Sequence, residues 1–144
     1  MHLTDYTDYA LRVLMYLGSQ GDRLVTIDEV ARVYDISRNH LTKVVHRLGQ
    51  AGYVSTVRGR TGGMRLGRRP DDIQIGAVVR LTEPDFTIVE CFDETRNTCS
   101  LSASCVLKAV LGQATRNFLR ELDGVTLATV LGLEEKPDAI PIRH

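Results

Sequence analysis

Three features of the 144-residue sequence predict a mainly α-helical fold with one small β hairpin. Apolar residues recur at helical spacing in five segments, two short β-prone runs flank a glycine-rich connection, and a 35-residue block carries eight cations and no acid. Hydrophobic residues make up 43% of the chain, enough to bury a core, and the length suits one compact domain with an appendage.

The first helix is read from Thr4 onward, where Ala10, Val13, Leu14 and Leu17 share a face and Gly18 lies near the end. Thr26 and Glu29 form a Thr-x-x-Glu capping box that opens a short second helix over 27–34. After a brief turn, Ser37 can cap a third helix. Its Leu41, Val44, Val45 and Leu48 fall at i, i+3, i+4 and i+7, with Gly52 as the stop. Arg38, Asn39, Thr42, Lys43, His46 and Arg47 take the outer face. Strands are expected over 53–57 and 64–66, joined by Arg58-Gly-Arg-Thr-Gly-Gly63. Helix, helix–turn–helix and hairpin in that order make a winged helix-turn-helix domain.

A fourth helix is expected over 75–83, with Ile75, Val78 and Val79 as core candidates. Pro84 opens a loop running to about residue 104, and a long amphipathic helix covers 105–122. Leu107, Val110, Leu111, Ala114, Phe118 and Leu122 mark its apolar face. A small winged domain folds without such a helix, so its expected task is to pair two subunits in a homodimer. The expected organisation is a winged helix-turn-helix DNA-binding domain (1–83), a cysteine loop (84–105), a dimerisation helix region (105–131) and a flexible tail (132–144).

Basic and acidic residues balance at 18 each, but unevenly: residues 1–80 hold 12 basic and 8 acidic side chains, and residues 81–144 hold 6 and 10. Between Asp35 and Asp71 lie Arg38, Lys43, Arg47, Arg58, Arg60, Arg65, Arg68 and Arg69, with no acid. A solvated face normally mixes both signs, whereas a single-sign stretch suits a phosphate surface. The expected partner is double-stranded DNA, a pseudo-palindromic operator if the protein is a two-fold dimer. The candidate DNA-binding residues are Ser37, Arg38, Asn39, His40 and Lys43 of the third helix, for the major groove, and Arg58, Arg60 and Arg65 of the hairpin. Glycines at the hairpin tip let the backbone approach closely, and arginine seeks the negative potential of a narrow minor groove.

The longest run free of Asp, Glu, Lys and Arg is 11 residues, Asn97 to Leu107. A membrane span needs about 20 apolar residues. Asp5, Asp8 and Arg12 would interrupt a secretory signal, so a soluble cytoplasmic protein without a membrane partner is expected. No nucleophile–base motif, phosphate loop or metal-hydrolase signature appears, and an enzyme is not expected.

All three cysteines, Cys91, Cys99 and Cys105, fall in the loop or at its end, spaced Cys-x7-Cys-x5-Cys. Clustered thiols in a cytosolic protein point to metal or redox chemistry, and an odd number forbids full internal pairing. Zinc sites usually include a close Cys-x2–4-Cys pair, which is missing here. Long intervals of small and polar residues suit a loop wrapped around something larger than one ion, which ranks an iron–sulfur cluster ahead of zinc, redox thiols and inert buried cysteines. Three thiolates leave one iron without a protein sulfur, an open or labile position where a diatomic gas could enter. By residue type the remaining donors are His2, Asp5, Asp8, Glu90 and Asp93.

Across residues 1–131 the chain resembles the iron–sulfur winged-helix repressors. The resemblance rests on Leu3-Thr-Asp-Tyr-Thr-Asp-Tyr-Ala10-Leu-Arg, Ser37-Arg-Asn-His-Leu-Thr-Lys43, Arg58-Gly-Arg-Thr-Gly-Gly63 and the three loop cysteines. Ser37–Val45 followed by Ala51-Gly-Tyr-Val54, and Leu119-Arg-Glu-Leu-Asp123 with Thr126-Leu, are most similar to the nitric-oxide-responsive members. The first cysteine interval is slightly longer than theirs. The members that regulate iron–sulfur assembly carry a His ligand in this loop, and here there is none. The resemblance implies a winged helix-turn-helix domain with a crossed dimerisation helix. It implies a four-iron four-sulfur cluster (a two-iron two-sulfur form being the alternative) on Cys91, Cys99 and Cys105, with Asp8 of the other subunit as fourth ligand. The implied function is a DNA-binding repressor that senses nitric oxide and releases its operator when the cluster reacts. An iron, iron–sulfur or redox-status regulator of the same family is the first alternative, and a zinc-stabilised DNA-binding module the second.

Overall fold

Helix α1 (Asp5–Ser19) begins where Thr4 supplies its cap, the Thr4 Oγ1 accepting from the Thr7 N–H at 3.3 Å. The structure, a computed structural model, describes residues 2–133, so the expected tail after Gly132 lies almost wholly outside the described residues. Thr4 is itself fastened to the far end of the domain. Its backbone N–H and hydroxyl both donate to Glu83 Oε1, at 2.8 and 2.9 Å, and beneath them the buried Thr7 hydroxyl donates to Thr82 Oγ1 at 2.9 Å. These bonds join the start of α1 to the end of α4 (Ile75–Thr82), where the cysteine loop leaves.

Helix α2 (Ile27–Tyr34) follows the expected cap, but only half of the capping box forms. Thr26 Oγ1 accepts from the Glu29 N–H at 3.2 Å, while the Glu29 carboxylate turns away to the Tyr16 hydroxyl (2.6 Å) and the Arg23 guanidinium (2.5 Å). The Arg23 guanidinium first, and the Tyr16 hydroxyl second, hold the Glu29 carboxyl down to about 2, from an ordinary value of 4.5. A folded-state value below the unfolded one contributes stability above about pH 4.5 that is lost as the pH falls toward 2. Denaturant titrations of Glu29→Gln should therefore show a flatter loss of stability between pH 4.5 and 2 than the parent. An unchanged acid limb would remove Glu29 from the account.

Helix α3 (Arg38–Gln50) buries the expected stripe, Leu41, Val44, Val45 and Leu48, against Ala10, Val13, Leu14 and Leu17 of α1. Fully burying side chains of this size stabilises by about 1.5–3 kcal/mol each. Ser37 occupies the cap position without a side-chain cap bond, contrary to the expectation that it caps α3. After α3 the chain reverses at Gly52, whose φ of +79° disfavours other residues.

Strands β1 (Val54–Val57) and β2 (Gly63–Leu66) pair antiparallel, with Val54 opposite Leu66 and Ser55 opposite Arg65. Met64 also bonds Val25 in both directions, at 2.9 and 2.8 Å, which ties the wing to the segment before α2. Gly62 is required at the turn, since a Cβ there would stand 2.2 Å from the Val57 carbonyl oxygen.

Helix α5 (Val106–Asp123) starts one residue later than expected, because Cys105 is its cap: the thiol sulfur accepts from the Lys108 N–H at 3.4 Å. No residue of α5 is buried. Leu107, Val110, Ala114 and Phe118 of the predicted apolar face are exposed, and Leu122 packs partly on the core. A short helix absent from the sequence reading, α6 (Leu127–Val130), then returns to the winged unit. Leu127 is fully buried, its N–H donating to the Ile73 carbonyl at 2.8 Å, and the Ile75 N–H donates to the Val125 carbonyl at 2.9 Å. Residues 125–131, which the sequence grouped with the long helix, thus complete the core of the first unit.

Candidate functional site

Two features carry chemistry: a basic surface formed by α3 and the wing, and the cysteine loop beside α5. Packing of Leu41, Val44 and Leu48 inward leaves Ser37, Arg38, Asn39, His40, Thr42, Lys43 and His46 facing solvent. Two side chains of α1 brace this helix: Tyr9 stacks on His40 with centroids 6.2 Å apart, and the Tyr6 hydroxyl donates to the Lys43 carbonyl at 3.1 Å. On the wing, Arg58 and Arg60 are exposed at the tip and Arg65 is exposed on β2. Among the described residues, no carboxylate pairs with Arg58, Arg60 or Arg65.

Not every cation of the acid-free stretch is available to a phosphate. Arg68 lies over the Tyr53 ring, 4.6 Å from its centroid, and Nη2 donates to the Ala51 carbonyl at 2.7 Å, closing the end of α3. Arg69 pairs with Asp71 at 3.0 Å, and Arg38 pairs with Asp28 of α2 at 3.1 Å. Charge pattern alone could not separate these from the unpaired arginines, because their partners lie outside the stretch or act through a ring and a carbonyl.

The loop between α4 and α5 contains one turn of 3-10 helix, Glu90–Phe92, and folds on its own side chains. Glu90 Oε1 accepts from the Thr98 N–H (2.6 Å) and hydroxyl (2.7 Å), stapling the residue before Cys91 to the residue before Cys99 and lowering the Glu90 pKa. Asp93 Oδ1 accepts likewise from Thr95, which lowers its pKa. All three cysteines are free thiols, Cys91 and Cys105 half-buried and Cys99 exposed. Cys91 and Cys105 line one open cleft of about 900 Å³ between the loop and α5, and Cys99 does not. Among the described residues, no three Cys, His, Asp or Glu side chains are gathered as a metal site. The donor set nevertheless fits a thiolate-ligated group: three unpaired thiols sit on one loop, two of them beside a cleft large enough for a cluster. Lys108 and Arg116 line the same cleft against one acid, Glu94, an environment that favours an anionic occupant. Asp8 stands away from that cleft on α1, paired with Arg12 at 2.9 Å, and Asp5 is exposed on the same turn.

A helix-turn-helix with a basic wing, an exposed apolar helix and a thiol-bearing loop define a winged-helix regulator class. The chain belongs to the Rrf2 family, described as an iron-dependent transcriptional regulator, whose model matches residues 3–132. It is 53% identical over 136 residues to the HTH-type transcriptional regulator NsrR of Bacillus subtilis, covering 94% of this chain and 93% of that one. To the NsrR of Halalkalibacterium halodurans it is 48% identical over 141 residues, 97% of each chain. Among solved structures, CymR, the global cysteine regulator of B. subtilis, superposes with a TM-score of 0.73 at 23% identity, covering 94% and 99% of the two chains. IscR of T. potens superposes with a TM-score of 0.74 at 24% identity, covering 98% and 93%. These two share the fold. No helix among the described residues is long and apolar enough to cross a membrane.

Proposed function

We propose that the protein is a cytoplasmic transcriptional repressor that binds a pseudo-palindromic DNA operator as a homodimer and senses nitric oxide through an iron–sulfur cluster of the four-iron four-sulfur type. Cys91, Cys99 and Cys105 would hold the cluster, with the partner subunit's Asp8 as the fourth ligand. The bound cluster would supply iron that nitric oxide attacks. The observation that carries this reading is the confinement of three free thiols to one loop beside the exposed apolar face of α5, in a chain about half identical to regulators named NsrR.

The chain's own residues supply the coupling. A second copy of α5 is the occupant that best covers Leu107, Val110 and Phe118, since two-fold pairing also sets two recognition helices one DNA turn apart. The loop ends directly on α5 through the Cys105 cap, and begins where Glu83 and Thr82 bind Thr4 and Thr7 of α1. Helix α1 in turn braces α3 through Tyr6 and Tyr9. A change at the loop therefore reaches both the pairing of subunits and the seat of the recognition helix. The description of the family as iron-dependent favours, as second reading, a regulator of iron or iron–sulfur status.

The deciding experiment is an anaerobic titration of operator DNA with and without nitric oxide, with the visible spectrum followed in parallel. Absorption at roughly 400 nm, bleached by nitric oxide in step with DNA release, is expected. A colourless protein with stoichiometric zinc overturns the proposal, and a cluster whose loss on iron depletion, but not nitric oxide, controls binding selects the second reading. In the same assay Arg60→Ala should bind the operator more weakly and with less preference over scrambled DNA. Binding to every sequence at parental strength would take the wing out of the groove.

A further inference from the structure

The contact between Arg38 and Asp28 assigns a role to an acid that lies outside the basic stretch. Asp28 sits in the first turn of α2, facing the start of α3. Its carboxylate meets Nη1 of Arg38, with Oδ1 at 3.1 Å and Oδ2 at 3.3 Å. Both side chains are well exposed, 66% for Arg38 and 59% for Asp28, so the pair adds little to folding stability. Yet a carboxylate on a surface meant for phosphates is costly for DNA binding in general. Its position explains its use. Asp28 and Arg38 line, with Thr56 of β1 and Gly63 of β2, a notch of about 290 Å³ between α2, α3 and the wing.

Arginine reads guanine by a two-pronged contact to O6 and N7, and its side chain has large rotamer freedom to lose when it does so. With one donor of Nη1 tied to Asp28, the Nε–Nη2 edge of the guanidinium keeps its donors for the two-pronged contact. The carboxylate thus restricts Arg38 before DNA arrives and draws it away from phosphate oxygens.

Resting on the operator-binding function proposed above, we infer that Asp28 is a specificity-determining residue: it positions Arg38 for a base edge and penalises non-specific phosphate binding. Removing it lowers the affinity for the operator and raises it for random DNA.

The test uses the full-length, anaerobically isolated protein and two probes: the duplex that the parent enriches from a random-sequence pool, and a shuffled duplex of equal length and composition. Asp28→Ala should reduce the ratio of the two affinities by about tenfold, within the discrimination of one two-pronged contact. Random-DNA binding should rise about two- to threefold as one repulsive charge is lost. Asp28→Asn, which keeps an acceptor oxygen and a polar first-turn residue, should fall between parent and Ala, and it carries the test alone if the Ala protein is unstable. Combining Asp28→Ala with Arg38→Ala should lower the ratio no further than Arg38→Ala does. A purely structural role would weaken both probes equally, and a purely electrostatic one would strengthen both equally. Either result, or additive effects in the double variant, overturns the assignment while leaving operator binding intact. A parent that enriches no duplex overturns both.

Discussion

Cys91→Ser, Cys99→Ser and Cys105→Ser should each abolish the visible chromophore of anaerobically isolated protein and, with it, specific operator binding. Two remaining thiolates rarely hold a four-iron cluster. Affinity should drop to that for random DNA, a loss of at least about a thousandfold for a typical specific site. Cys105 is the most telling of the three because its sulfur also caps α5. Serine is a preferred cap residue, so Cys105→Ser keeps the helix start and removes only the thiolate. Helical circular dichroism at parental level, together with a lost chromophore, separates ligation from folding. Asp8→Ala should behave differently, keeping a cluster with an altered spectrum and weakened coupling to DNA, since a carboxylate is a hard, weak ligand in a sulfur-rich site. A Cys99→Ser protein that retains both colour and operator binding would remove Cys99, the thiol farthest from the shared cleft, from the ligand set.

Val110→Glu and Phe118→Glu should each convert the protein to a folded monomer that no longer occupies paired half-sites. Val110 is 56% exposed and Phe118 39% exposed on a helix with no buried residue, so neither change disturbs the protomer's own core. Glutamate is also a good helix former. In the dimer each site would be buried, with loss of about 1.5–3 kcal/mol of apolar burial per side chain, doubled by two-fold symmetry. That corresponds to a dimer dissociation constant raised by about two to four orders of magnitude. Sedimentation velocity and DNA footprinting on the same samples check it. Monomers that still protect both half-sites at parental concentration would show that α5 does not build the functional unit.

Elements whose stability is local follow from the order of residues alone. The stripe Leu41-Val44-Val45-Leu48 with Gly52 as stop, the Thr26 cap of α2 and the glycine-flanked hairpin need only neighbours a few residues away, and all three form. The apolar face of α5 was legible for the same reason, and so was the gathering of all cysteines in one loop. Tertiary structure alone decided what depends on the chain returning to itself. Leu127 joins the core through bonds to Ile73 across more than fifty residues, which no helical or strand period announces. Glu29 leaves its half of the capping box because Tyr16 of α1 and Arg23 of the connection before α2 offer a phenolic and a charged donor instead. Arg38 and Arg68 look alike in sequence to Arg58, Arg60 and Arg65, yet Asp28 and the Tyr53 ring reach the first two. Likewise, equal membership of one loop does not give three thiols equal places: Cys91 and Cys105 line one cleft beside α5, which begins at Cys105, while Cys99 is exposed outside it. Local periodicity encodes an element and its inward face. Which outward side chains find partners is set by contacts between elements as well as by near neighbours, and the former exist only once the chain has folded.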